Sequence, residues 1–155
     1  MMTLWVDADA VPRIWRELIL RASDRYHLAV RFVANSALGI APSQRVQAIQ
    51  VLKQADEADH YIVQHLQPHD IVITDDIPFA VQVVERGGVV LRFRGDVINK
   101  DNAKARLHTR DYMAMLRESG VIDTHGLTAS LSERDKREFS GALDRLIQQQ
   151  LRKRA

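Results

Sequence analysis

The chain has 155 residues, of which 46% are hydrophobic and 27% charged, and a formal net charge of +2. That length suits one domain able to bury roughly 70% of the surface its unfolded form exposes, and the composition excludes a disordered or low-complexity chain. Cysteine is absent, which excludes disulfides, thiolate zinc sites and cysteine nucleophiles and leaves oxygen or imidazole to hold any metal.

Thr3 to Val6 is a short run of strand formers, and Pro12, three residues past Asp9, suits the first turn of a helix. From Arg13 to Tyr26 the residues Ile14, Trp15, Leu18, Ile19 and Ala22 recur at helical spacing, with charged residues on the other face. Leu28 to Ala34 reads as a second strand, followed by a loop containing Asn35, Ser36, Gly39 and Pro42. Residues 46–52 read as a strand, although so short a run also fits a helical turn. Asp56 to Leu66 is expected to be a helix closed by Pro68, and Ile71 to Thr74 is an apolar run typical of a buried parallel strand. Ile77-Pro78 opens a helix that runs through Glu85 to Gly87-Gly88, and Val89 to Leu91 supplies a fifth strand. Beyond Arg92 the pattern turns helical: one helix over Asp101–Glu118 stopping at Gly120, a polar linker from Asp123 to Ser130, and a last helix. Ser132 is placed to cap that helix with Asp135 at its third position, and Phe139, Leu143, Leu146 and Ile147 form its apolar stripe.

The expected architecture is α/β: a parallel sheet in residues 1–91 flanked by helices, with residues 92–155 as a mainly helical, basic extension packed on that core. In such a sheet, ligands gather at the carboxyl ends of the strands. Residues 1–91 carry 8 Lys+Arg against 11 Asp+Glu, and residues 92–155 carry 14 against 9. Of the 22 basic residues 17 are arginine, whose planar fork suits phosphate, so a polyanion such as RNA is a candidate partner. The opening MMTLWVDADA is neither a signal peptide nor a membrane span, so a cytoplasmic protein without membrane contact is expected. Oligomeric state stays open, a homodimer included.

Asp7 and Asp9 follow the first strand at a spacing that turns both side chains to one side, though Asp9 can equally cap the next helix. Asp76, beside Asp75, occupies the equivalent place after the strand ending at Thr74, and neighbouring strand ends would bring it to Asp7 and Asp9. Asp56 and Asp59 share one face at a helix start, where plain capping is the alternative reading. Converging carboxylates repel and raise one another's pKa unless a cation joins them, and an all-oxygen set selects Mg²⁺ or Mn²⁺. His65 and His69 are split by Pro68, which argues against zinc.

The segments VDADAVP at 6–12, VAN at 33–35, DEADHYIV at 56–63, HDIVITDDIPFA at 69–80 and TRDYMAMLRESG at 109–120 together resemble the bacterial YaiI/YqxD family. That family is placed by resemblance among PIN-like domains, which include metal-dependent ribonucleases with acidic sites. The resemblance implies that Asp7, Asp59 and Asp76 are metal ligands or their close neighbours, with Asp9 in the family's D-A-D signature. The family motif continues D-A-C-P, but Val11 stands here in place of the cysteine, so no role of a thiol carries over.

The leading expectation is an Mg²⁺- or Mn²⁺-dependent nuclease acting on RNA. Asp7, Asp9, Asp59 and Asp76 form its centre, Asp56 and Asp75 are further ligand candidates, and Asn35, Ser36, Thr74, Arg92, Arg94, Arg106 and Arg110 are expected to meet substrate. A haloacid-dehalogenase-like phosphatase, with Asp7 as nucleophile, Asp9 as general acid and Lys53 as the required lysine, is one alternative. A non-catalytic RNA- or protein-binding module is another.

Overall fold

The computed structural model describes residues 2–41, 43–120 and 130–154. Pro42 and the expected linker, apart from Ser130, lie outside the described residues. Along the chain run β1 (Thr3–Asp7), α1 (Arg13–Tyr26), β2 (Ala29–Ala34), β3 (Val46–Gln50), α2 (Glu57–His65), β4 (Ile71–Ile73), α3 (Ile77–Glu85), β5 (Val89–Leu91), β6 (Val97–Ile98), α4 (Ala103–Glu118) and α5 (Glu133–Arg154). The alternation expected through Leu91 is present, and the strand expected over residues 46–52 spans Val46–Gln50.

The strands form one sheet in the order β3-β2-β1-β4-β5-β6. All neighbours pair in parallel except β5 and β6. Because β1 pairs with β2 on one side and β4 on the other, the strand order reverses between β1 and β4, the place where open sheets of this kind leave a crevice.

Alternation along the strands feeds two cores. Leu4, Val6, Val30, Phe32, Ile71, Ile73 and Leu91 face α1 and α5 and meet Trp15, Ile19, Phe139, Leu143 and Ile147. Trp5, Val33, Val72 and Val90 face the opposite way, against Ile62 and Leu66 of the α2 segment, Phe79 and Val83 of α3, and Ala103 of α4. Strands apolar on both faces are what a sheet covered by helices on each side demands.

The C-terminal extension seats on this framework through the stripe expected of it: Phe139, Leu143, Leu146 and Ile147 are all buried. Ser132 and Asp135 cap each other at the start of α5, with Asp135 N–H donating to Ser132 Oγ at 3.3 Å and Ser132 N–H to Asp135 Oδ2 at 2.9 Å. The Trp15 indole donates to the carbonyl of Phe93 at 2.9 Å, and its ring lies 6.0 Å from that of Phe139.

The extension is not wholly helical, because β6 returns antiparallel to β5. A two-residue strand is too short to show alternation in sequence, and the turn makes it: Arg92 N–H donates to Asp96 O at 2.9 Å, and Gly95 takes φ +96°. A Cβ on Gly95 would lie 2.9 Å from the backbone of Glu138, so glycine here also lets the hairpin press against α5. Among the described residues no helix is long and apolar enough to cross a membrane.

Candidate functional site

The pairing of Val6 with Ile73 sets the ends of β1 and β4 side by side, so Asp7 and Thr74 emerge as neighbours. Thr74 links the two: its hydroxyl donates to Asp7 Oδ2 at 3.0 Å and accepts from the backbone N–H of Asp76 at 3.1 Å. Asp76 then caps α3, its Oδ1 accepting from Phe79 N–H at 3.1 Å. Thr74, expected to offer its hydroxyl to substrate, instead orients a carboxylate.

Asp9 sits past the strand in an exposed turn, where both its carboxylate oxygens accept from the N–H of Asn35, at 3.1 and 3.0 Å. The turn after β1 is thereby fixed to the end of β2, and Asp9 does not cap α1, whose N-cap position is Pro12. Asp56 occupies the N-cap position of α2 but makes no side-chain capping bond, and its backbone is left-handed at φ 65°. Local capping therefore does not account for Asp56.

A cleft of about 190 Å³ opens at this edge of the sheet, lined by Asp7, Asp9, Asn35, Asp56, Glu57 and Asp59 among others. Glu57 was not singled out in the sequence, although its place in the first turn of a helix beside Asp56 and Asp59 was a readable signal. Asp76 borders the same charge cluster. Burial raises the pKa of Asp7 most; the Thr74 hydrogen bond opposes that rise, and the charges of Asp9 and Asp76 add to it. Asp59 is pushed up from 3.8 to about 7, first by burial and then by Asp7, Asp76 and Asp56. The expected mutual repulsion is thus present across three loops. Among the described residues, however, no three His, Asp or Glu side chains stand arranged to hold a metal ion.

The raised Asp59 has a definite consequence for stability in metal-free protein. Between about pH 4 and about 7 the folded chain binds a proton at Asp59 that the unfolded chain has released, so this group's contribution falls as pH rises through that window. Asp59→Asn should therefore match the parent near pH 4 and exceed its stability by about 2 kcal/mol above pH 7, after allowance for the solvent that reaches this carboxyl. Urea unfolding of both proteins at pH 4 and 8 measures the difference, and an unchanged gap between the two pH values would show that Asp59 ionises without penalty.

Other expected site residues are placed elsewhere. Asp75 turns away from the cleft, its Oδ1 accepting from Phe93 N–H at 2.8 Å and lying 3.7 Å from Arg92 Nε. Ser36 lines a separate recess with Leu38, Ile40 and Ala48. The four arginines expected to steer a polyanion have acidic partners: Arg92 and Arg106 share Asp96, Arg94 meets Asp135, and Arg110 meets Asp111. Lys53 lies exposed in the turn after β3 and forms no ion pair with Asp7 or Asp9. His65 stacks on Tyr61 with ring centroids 4.1 Å apart, and its Nδ1 lies 2.8 Å from the Tyr61 carbonyl oxygen.

Residues 5–149 match the family model described as "Uncharacterized BCR, YaiI/YqxD family". The chain belongs to this family. It is similar to a UPF0178 protein of Acinetobacter baylyi, 59% identical over 152 residues that cover 98% of this chain and 97% of that protein. A UPF0178 protein of Vibrio parahaemolyticus is 44% identical over 146 residues, 94% of this chain and 98% of that one. One from Saccharophagus degradans is 42% identical over 146 residues, covering 94% and 95%. No solved structure matches the chain. Val11, where the resemblance implied a cysteine, is buried in the core with Trp15 and Ile19 of α1 and so holds a packing position.

Proposed function

We propose that this YaiI/YqxD member is an Mg²⁺- or Mn²⁺-dependent nuclease that cleaves RNA in the cytoplasm, with its centre at the acidic cleft between the end of β1 and the start of α2, beside the end of β4. The observation that carries this reading is the lining of one cleft by Asp7, Asp9, Asp56 and Asp59, with the charge of Asp76 reaching Asp7 and Asp59, at an electrostatic cost that raises the pKa of Asp7 and Asp59. A protein gains nothing in stability from such a cluster, and a cation relieves it. The resemblance to PIN-like domains points the same way.

The donor chemistry fits a hard divalent cation, since every candidate ligand is a carboxylate oxygen. Asp7, Asp59 and Asp76 would hold it with Asp9 at the rim, and small side-chain rotations would have to bring them together. When bound, the ion supplies positive charge that polarises a phosphodiester and activates water. The chain's own residues prepare the site: Thr74 fixes the direction of the Asp7 carboxylate, and the Asn35 N–H holds Asp9 at the cleft mouth. Asp59, with a pKa of about 7, is able to take up or release a proton near neutrality at its carboxyl.

Incubating the purified chain with end-labelled single-stranded RNA tests the reading. Cleavage that requires Mn²⁺ or Mg²⁺ and stops with a chelator is the expected result. Hydrolysis of a small phosphate ester without RNA cleavage would favour the phosphatase reading instead. Intact RNA bound with steep salt dependence would make the chain a binding module.

A further inference from the structure

Arg16 is partly buried on α1, and its guanidinium has neither a hydrogen bond nor an ion pair among the described residues, while its Nε is shut off from solvent. Arg45 and Arg92 also have a buried, unbonded Nε, but each pairs with carboxylates through its guanidinium. A buried guanidinium N–H without an acceptor is a cost that folding does not explain.

Its direction follows from the helix. Arg25 lies nine residues further along α1, which at 3.6 residues per turn is about half a revolution away, and Arg25 reaches across to Asp144 of α5. Arg16 therefore points away from α5, toward the β2 and β3 side of the sheet. The loop after β2 lies there, its Leu38 and Ile40 packed on the same core as Trp15.

A recess of about 230 Å³ opens under that loop, lined by Ser36, Leu38, Gly39, Ile40, Ala48 and Gln50 among others. Val46 belongs to the core beneath α1, so by alternation Ala48 and Gln50 share its face, and the recess opens on the α1 side. Asn35, the residue before Ser36, binds Asp9 at the acidic cleft. The loop after β2 thus joins the two: its first residue, Asn35, lines the acidic cleft and Ser36 to Ile40 line the recess, on the side of the sheet toward which the helix turns Arg16.

We infer that Arg16 and the recess form a nucleic-acid subsite next to the acidic cleft: Arg16 grips one backbone phosphate, and a single unstacked base enters the recess between Ser36 and Gln50. The inference rests on the nuclease reading and deepens it, naming a single strand as the bound form, because only an unpaired base can leave the stack to enter such a recess. Ser36 and Gln50 offer polar groups to a base edge, and the surrounding apolar surface takes its face.

Binding of a fluorescein-labelled single-stranded RNA to the full chain carrying Asp7→Asn, measured by anisotropy in EDTA across a range of salt, tests the inference without any cleavage. On that background Arg16→Gln should weaken binding about tenfold and reduce the slope of log affinity against log salt by about 0.7, the loss of one single-strand phosphate contact. Its melting temperature should be unchanged or higher, since an uncompensated cation has been removed; Arg25→Gln, on the far side of α1, should leave affinity and slope as they were. Equal affinity and slope for Arg16→Gln, no RNA binding at all, or equally tight binding of duplex RNA would overturn the subsite. Wild-type cleavage with an indifferent Arg16 would remove this inference alone, and Arg16-dependent binding without any cleavage would remove the nuclease reading alone.

Discussion

Asp7→Asn should lower cation-dependent RNA cleavage by roughly a hundredfold or more while leaving the fold at least as stable as the parent. Both halves follow from where Asp7 stands. Its Oδ2 accepts a hydrogen bond from Thr74, which the amide oxygen of asparagine can keep, so the link between the ends of β1 and β4 survives. The charge that disappears is one that burial and the neighbouring Asp9 and Asp76 already oppose, so its loss relieves repulsion. A residue kept for stability behaves in the opposite way, weakening the fold when its charge is removed. Cleavage rates measured beside urea midpoints read both effects, and an active variant or a markedly destabilised one would refute the role given to Asp7.

Asp70→Ala should instead cost about 3–5 kcal/mol of stability. Asp70 is 1% exposed, and its carboxylate receives the backbone N–H of Thr3 and the Trp5 indole, each at 3.0 Å, and the N–H of Gln67 at 2.9 Å. It ties the start of β1 to the turn before β4 at the end of the sheet opposite the cleft. Truncation leaves the buried indole donor and the backbone donors without an acceptor, each at roughly 1–3 kcal/mol. Asp70→Asn should lose about half as much, because its amide oxygen still accepts while its NH₂ faces a donor. Equilibrium urea unfolding provides the measure; a loss below about 1 kcal/mol for Asp70→Ala would mean that water replaces the carboxylate.

The two aspartates illustrate what can be read from residues alone. Asp7 was legible because a strand in a parallel sheet ends where a ligand gathers, and an apolar run followed by D-x-D advertises that place. Its approach to Asp76 was legible too, since two such runs with acidic ends can be neighbours, and β1 does pair with β4. Asp70 carries no local sign of its role, because two of its partners, Thr3 and Trp5, lie more than sixty residues earlier. β6 escaped for want of length, and the left-handed backbone of Asp56 for want of any local signature. The arginines mark the sharpest limit: composition gave their number, but only tertiary contacts separate Arg92 and Arg106, bound to Asp96, from Arg16, whose buried Nε has no acceptor among the described residues.

Calorimetric titration of Mn²⁺ into the metal-free protein at pH 6 and pH 8, with Asp7→Asn alongside, tests most directly whether the acidic cleft exists to hold a cation. Binding should be tighter at pH 8, because a proton must leave Asp59 for the ion to enter, and it should be lost or strongly weakened in the variant. No heat of binding at either pH, or equal affinity in the wild type and Asp7→Asn, would contradict a metal centre at the ends of β1 and β4.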